Sequence, residues 1–303
     1  MYEKILVPLD GSAFSERALP MAGALAQVMG SDLVLMRAAV ASIFPGADPT
    51  NAQCQAVEEV QSYLANLAIG LAEQGLRVDI AAPYGDAADS IVLEAGLRAA
   101  NLVVMCTHGR SGLGRWIYGS VAEQVLARSP VPVLLVRPTG EPLSSKSELG
   151  PVLVPLDGSA FGEAALSHAA TLARAFGSGI VLLRSVDLPL IAYEYMVTSP
   201  VLESLEDQRR RARSYLLEVA EQLRMDGFDV QTALCEGWPA DGIVDKSVDS
   251  GSRLIVMATH GRTGIARLVL GSVALEVVRR SQLPVLLVRP AELAESAQGS
   301  GVQ

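Results

Sequence analysis

Leu6-Val7-Pro8-Leu9-Asp10-Gly11-Ser12-Ala13-Phe14 recurs unchanged as Leu153-Val154-Pro155-Leu156-Asp157-Gly158-Ser159-Ala160-Phe161. Three more segments repeat in the same order. They are Thr-His-Gly-Arg at 107–110 and 259–262, Gly-Ser-Val-Ala at 119–122 and 271–274, and Pro-Val-Leu-Leu-Val-Arg-Pro at 132–138 and 284–290. The chain is two copies of one unit, with either two equivalent sites or one kept and one lost. The 303 residues give each copy roughly 140–150 residues, near the common domain size.

Working outward from the first repeat, Ile5–Leu9 reads as a buried strand and Ala13–Met29 as a helix with Ser12 at its N-cap. Leu33–Ala38 is a second strand. Residues 39–50 are a Pro/Gly/Ala-rich loop, and Ala52–Gln74 is a helix ended by Gly75. Arg77–Ala82, Leu102–Cys106 and Val131–Val136 are the remaining strands. Ala87–Ala99 is a helix, and Ser120 caps another that runs to Arg128. Continuous Val/Leu/Ile runs mark strands buried on both faces, so each unit is predicted as an α/β domain with a parallel sheet between helices. The second unit follows the same course from Pro151 to Pro290. Its offset is 147 at strand one and 152 at Gly-Ser, which places five extra residues between Arg184 and Gly237. The expected division is domain one at 1–138, a linker at 139–150, domain two at 151–290 and a polar tail at 291–303.

The net charge of −9 argues against a nucleic-acid binder, which needs a basic face. The hydrophobic fraction is 50 %, but it comes in strand-length bursts, and no run approaches the ~20 apolar residues of a membrane helix. Cys54, Cys106 and Cys235 are scattered without metal-type spacing, and the N-terminus lacks the pattern of a signal peptide. A cytoplasmic protein without membrane or metal sites is the expectation.

Ligands of parallel sheets sit outside the carboxyl ends of the strands. Asp10 and the 107–119 loop lie at two such ends. Gly109, nine residues, Gly119 and Ser120 precede a helix, and Gly261, nine residues, Gly271 and Ser272 copy them. Glycines let backbone amides approach an anion, and a helix start offers unpaired N–H groups and partial positive charge. The same residues also suit a tight turn with an ordinary serine cap. Asp10 and Asp157 either accept hydrogen bonds from a ribose or an adenine amino group, or close an Asp-Gly-Ser turn. His108 and His260 either face phosphate or bond a loop carbonyl. Arg110 and Arg262 either meet phosphate oxygens or lie in solvent, and no residue is assigned a catalytic role.

At these residues the chain resembles the universal stress protein family in its tandem form. The resemblance covers nearly all of both units. It rests on Val-Pro-Leu-Asp-Gly-Ser, Gly-Asp-Ala or Gly-Trp-Pro-Ala, Val-Met-x-Thr-His-Gly-Arg, Gly-Ser-Val-Ala and Pro-Val-Leu-Leu-Val-Arg. It implies an adenine-nucleotide-hydrolase-like fold with sheet order 3-2-1-4-5. It also implies pairing of units through their fifth strands, as an intrachain pseudo-dimer, with a homodimer left open. ATP-binding members are similar in carrying Gly-x2-Gly-x9-Gly-Ser/Thr. Carried over, Gly109, Gly119 and Ser120, and Gly261, Gly271 and Ser272, hold phosphate and ribose. Asp10 and Asp157 touch adenine or ribose, and Ala38 and Ser185 flank the base. The first glycine is replaced by Cys106 in one copy and Ala258 in the other, and the bulkier cysteine ranks the second site above the first.

The expected function is an ATP-binding stress-response regulator, with Mg²⁺ accompanying the nucleotide and slow hydrolysis at most. The alternative is a non-nucleotide-binding interaction module of the same fold. No Walker A lysine motif is present. The helix 52–74 and the stretch 187–225 diverge between copies, and partner specificity is expected there.

Overall fold

The computed structural model describes residues 1–41, 48–107, 119–137, 150–186, 199–259 and 270–289, with only the backbone at 199–202. The chain divides into two compact units, between Lys146 and Ser147.

In the first unit the strands are β1 (Lys4–Pro8), β2 (Asp32–Met36), β3 (Val78–Ala81), β4 (Leu102–Cys106) and β5 (Val133–Val136). All pair in parallel, in the order β3-β2-β1-β4-β5. Every residue of β4 is buried, as is every residue of β5, because helices cover both faces of the sheet. β3 lies at an edge, and its Asp79 faces solvent.

The helices are α1 (Ala13–Glu16), α2 (Leu19–Met29), α3 (Pro49–Ala72), α4 (Ala87–Leu97) and α5 (Ser120–Arg128). They correct the sequence expectation at three places. The stretch 13–29 is two helices rather than one. Pro20 has no N–H to give the Glu16 carbonyl, and its ring crowds that carbonyl in a continuous helix, so the chain breaks at Arg17–Ala18 and restarts with Pro20 in the first turn. α3 begins at Pro49, three residues before the expected start, capped by Asp48, whose side chain accepts from Thr50 N–H. Proline suits a first helical position because its missing N–H would have had no partner there. In α5 the N-cap is Gly119, and Ser120 is the first helical residue.

The second unit carries β6 (Val152–Pro155), β7 (Ile180–Val186), β8 (Val230–Glu236), β9 (Leu254–Ala258) and β10 (Val285–Val288). Parallel pairing again gives β8-β7-β6-β9-β10. Its helices are α6 (Ala160–Phe176), α7 (Ser199–Met225), α8 (Pro239–Asp249) and α9 (Ser272–Arg280). Ser167 stands where the first unit has Pro20, and α6 runs unbroken for 17 residues. α9 also starts after a glycine cap, Gly271. Both units are thus α/β, with parallel sheets and flanking helices.

Candidate functional site

Strand β1 is followed on one side by β2 and on the other by β4, so chain direction diverges at the β1/β4 boundary. A parallel sheet leaves a crevice at such a point. In the first unit a cleft of about 260 Å³ opens there. The ends of β1, β2 and β4 form its floor, and the starts of α4 and α5 its sides. The cleft brings together Asp10, Ala38, Cys106, Gly119 and Ser120, all expected from the sequence. His108, Gly109 and Arg110, and their copies His260, Gly261 and Arg262, lie outside the described residues.

One end of the cleft is built from the N-terminus of α5. Gly119 N–H donates to the Thr107 carbonyl at 3.1 Å, closing the base of the loop, so the glycine amide itself is engaged. The first intrahelical bond runs from Glu123 N–H to the Gly119 carbonyl at 3.2 Å. Helix geometry therefore leaves Ser120, Val121 and Ala122 N–H without intrahelical acceptors. Gly119 has no side chain to cap them, and all three residues line the cleft. Ser120 is accordingly a first-turn residue facing the cleft rather than a cap. The second unit repeats the arrangement, with Gly271 N–H to the Thr259 carbonyl at 2.9 Å and Leu275 N–H to the Gly271 carbonyl at 2.9 Å.

Neither backbone nor packing among the described residues explains the glycine at 119. Its φ of −55° is open to any residue. Among the described residues, an added Cβ would meet only the Thr107 carbonyl oxygen, at 3.9 Å. The missing methyl leaves room at the mouth of the cleft.

At the other end, Asp10 closes the Asp-Gly-Ser turn. Its Oδ1 accepts the Ser12 N–H at 2.9 Å and the Ser12 hydroxyl at 2.6 Å, which closes the turn, and the residue also lines the cleft. Ser12 in turn caps α1 through a bond from Ser15 N–H at 3.2 Å. Buried Ser15 accepts the Asp10 N–H at 3.2 Å. In the second unit Ser159 caps α6 and donates to Asp157 Oδ1 in the same way, at 2.6 Å. There Gly162 replaces Ser15, and an added Cβ would come within 2.6 Å of Asp157 Oδ1, so the carboxylate occupies the freed space. Ser185 donates its hydroxyl to the Gly237 carbonyl at 3.2 Å, tying the ends of β7 and β8 together. Ala258 and Cys106 both end buried fourth strands of their units, and Cys106 forms part of the cleft wall.

Sequence reasoning missed one cluster. The Arg37 guanidinium lies over the Tyr63 ring, 5.1 Å from its centroid, and Tyr63 donates its hydroxyl to Glu16 Oε1 at 2.8 Å. Arg184, Tyr215 and Glu163 repeat this at 4.8 Å and 2.7 Å. Burial, reinforced by the carboxylate bond, pushes both phenols up from their ordinary pKa, so they stay protonated donors. The signal was available: Ser-Tyr-Leu occurs at 62–64 and at 214–216, inside helices otherwise read as divergent. The offset is 147 at Arg37/Arg184 and 152 at Tyr63/Tyr215, which narrows the five extra residues to the span between Arg184 and Tyr215.

Among the described residues no group of three or more His, Cys, Asp or Glu side chains is arranged to hold a metal ion. Nor is any helix long and apolar enough to cross a membrane.

A universal stress protein of Mycolicibacterium smegmatis is 29 % identical over 300 residues, covering 94 % of this chain and 97 % of the relative. The universal stress protein MJ0531 of Methanocaldococcus jannaschii is 31 % identical over 140 residues, covering 46 % of this chain and 81 % of its own. A solved universal stress protein from Archaeoglobus fulgidus shares the fold with a TM-score of 0.75 at 21 % identity, covering 95 % of this chain and 99 % of its own. The universal stress protein family pattern matches residues 1–137 and again 148–289. Two family matches that take in both repeats, together with relatives of that name, show that this chain belongs to the universal stress protein family.

Proposed function

We propose that the chain is an adenine-nucleotide-responsive regulator, binding ATP in the cleft of the first unit and in its counterpart in the second. The observation that carries this reading is the start of α5. Three residues whose first-turn amides lack intrahelical acceptors line the cleft, next to a glycine that neither backbone strain nor packing among the described residues demands. Phosphate fits such a cradle, because the amides and the helix dipole favour negative charge while the absent Cβ permits close approach. Gly119, Ser120, Val121 and Ala122 hold the phosphates, with Gly271 and Ser272 in the equivalent role. Asp10, Ala38, Asp157 and Ser185 flank the nucleoside. Mg²⁺ arrives with the nucleotide and is held mainly by phosphate oxygens and water, as that ion commonly is, with Ser120 and Ser272 hydroxyls within the same region. The role is regulatory, with slow hydrolysis at most. Nucleotide occupancy shifts a conformational or partner equilibrium by its differential affinity for the two states.

One observation favours the alternative of an interaction module. The first glycine of the ATP-binding pattern is Cys106 or Ala258, and the cysteine side chain stands in the cleft wall. Calorimetric titration of nucleotide-free protein with Mg-ATP separates the readings. Saturable binding that Gly119→Val and Gly271→Val together remove supports the nucleotide reading. Absence of binding to the wild-type chain leaves the interaction module.

A further inference from the structure

Arg37 lines the cleft beside Ala38, after the end of β2. Neighbouring strands lie about 4.8 Å apart, so the end of β2 stands two strand spacings, roughly 10 Å, from the end of β4, which leads to α5. A nucleoside spans a distance of that order. With phosphate at α5, base and sugar extend over β1 toward Arg37 and Ala38.

Arg37 lies between two neighbours. Its guanidinium stands over the Tyr63 ring. It also lies so close to Gly11 that an added Cβ would come within 2.5 Å of Nη1 and 2.8 Å of Cζ. Gly11 is the residue after Asp10, within the turn that Asp10 closes. The second unit repeats both contacts, with Arg184 over the Tyr215 ring and a Cβ on Gly158 reaching within 2.8 Å of Nη1 and 3.0 Å of Nη2. Between 49–72 and 201–224 the identical positions are Ser62, Tyr63, Leu64, Ala68 and Leu71, with Ser214, Tyr215, Leu216, Ala220 and Leu223. Leu64, Leu216, Ala220, Leu71 and Leu223 are buried core residues. Tyr63 and Tyr215 are only partly buried, and core packing does not account for them.

We propose that Arg37 and Arg184 are positioning residues that clamp the Asp-Gly turn, so that Asp10 and Asp157 present their carboxylates to the nucleoside. Tyr63 and Tyr215, anchored by Glu16 and Glu163, keep each guanidinium flat. The proposal rests on the nucleotide reading above and deepens it. A planar guanidinium loses little freedom on being stacked, which lysine does not reproduce. The clamp also fastens α3 and α7 to the nucleoside end of each cleft, so movement of those helices changes nucleotide affinity.

The test uses full-length protein carrying Gly271→Val, so that the first cleft is read alone. Affinities for Mg-ATP and for adenosine are measured by calorimetry, with melting temperature followed in parallel. Arg37→Met and Tyr63→Leu should each weaken both ligands by about tenfold, equivalent to about 1.4 kcal/mol. Tyr63→Phe, which keeps the ring, should have a smaller effect, and Arg37→Lys should not restore affinity. Equal loss for ATP and adenosine is the signature of a nucleoside-end role. Loss confined to ATP would make Arg37 a phosphate ligand and overturn the proposal. Unchanged affinities, with or without a lower melting temperature, would reduce the cluster to a structural staple and overturn it as well. If this protein binds no Mg-ATP, Arg184→Met and Tyr215→Leu are read in the same way in protein carrying Gly119→Val; if the wild-type chain binds none, the nucleotide reading itself has failed, a result distinct from both.

Discussion

Gly11 holds φ at +83° and lies against the Arg37 guanidinium, so an added methyl group is penalised by backbone strain and by collision. Gly11→Ala should lower stability by about 1–2 kcal/mol, and Gly158→Ala, at +80°, should do the same in urea unfolding. Gly119→Ala is the opposite case. With ordinary φ and open space, it should change stability by less than about 0.5 kcal/mol while weakening Mg-ATP binding, because the methyl group projects where the phosphate approaches. A large loss of stability instead would show that the glycine serves the fold. His168 on α6 gives a pH signature. Burial lowers its pKa below the ordinary 6.5. The unfolded chain then takes up a proton near that pH while the folded chain does not, so stability falls as pH drops below 6.5 and levels off once both states are protonated. His168→Gln removes this slope. The stability advantage of wild type over the variant should shrink between about pH 7.5 and about pH 5.5. A constant difference would mean that His168 titrates alike in both states.

At the scale of elements, strands were the most legible feature. Runs such as Leu102–Cys106 are apolar at every position, and every position is buried. Helix starts were less legible, because Pro20 and Pro49 act through groups they lack. One breaks a helix and the other opens one, and apolar periodicity carries neither signal. Ser120 reads as a cap because serine commonly is one, whereas Gly119, with no side chain, holds that position and leaves the first-turn amides without a side-chain cap. The Arg37–Tyr63 contact joins residues 26 apart in sequence on different elements, so only the repeat could have announced it. α4 and α8 offer a natural comparison. Asp86 caps α4 with bonds from Ala88 and Asp89 N–H, whereas Trp238 stands at the same place on α8, 77 % exposed and making no side-chain cap bond. Trp238→Asp should therefore stabilise the protein by about 0.5–1 kcal/mol. Unchanged thermal unfolding would show that Pro239 alone suffices to start the helix.

At the scale of the whole chain, duplication makes each unit a control for the other. The nonapeptides 6–14 and 153–161 are identical, yet Ser15 is matched by Gly162 and Cys106 by Ala258. Titration with Mg-ATP should give two sites per chain if both substitutions for the pattern's first glycine are tolerated. One site per chain, lost with Gly271→Val and kept with Gly119→Val, would show that the cysteine closes the first cleft.

The break at Arg17–Ala18 gives the halves different tempos. Ser15 and Glu16, which touch the Asp10 turn and the Tyr63 hydroxyl, ride on a helix of four residues. Gly162 and Glu163 ride on one of 17. A single turn is close to the helix nucleus and opens readily, whereas a long packed helix opens rarely. Amide deuterium uptake should be fast across 13–18 and slow across the interior of 160–176. A ligand seated on the first half would then slow the exchange of a segment already in motion, and one seated on the second would find its wall already still.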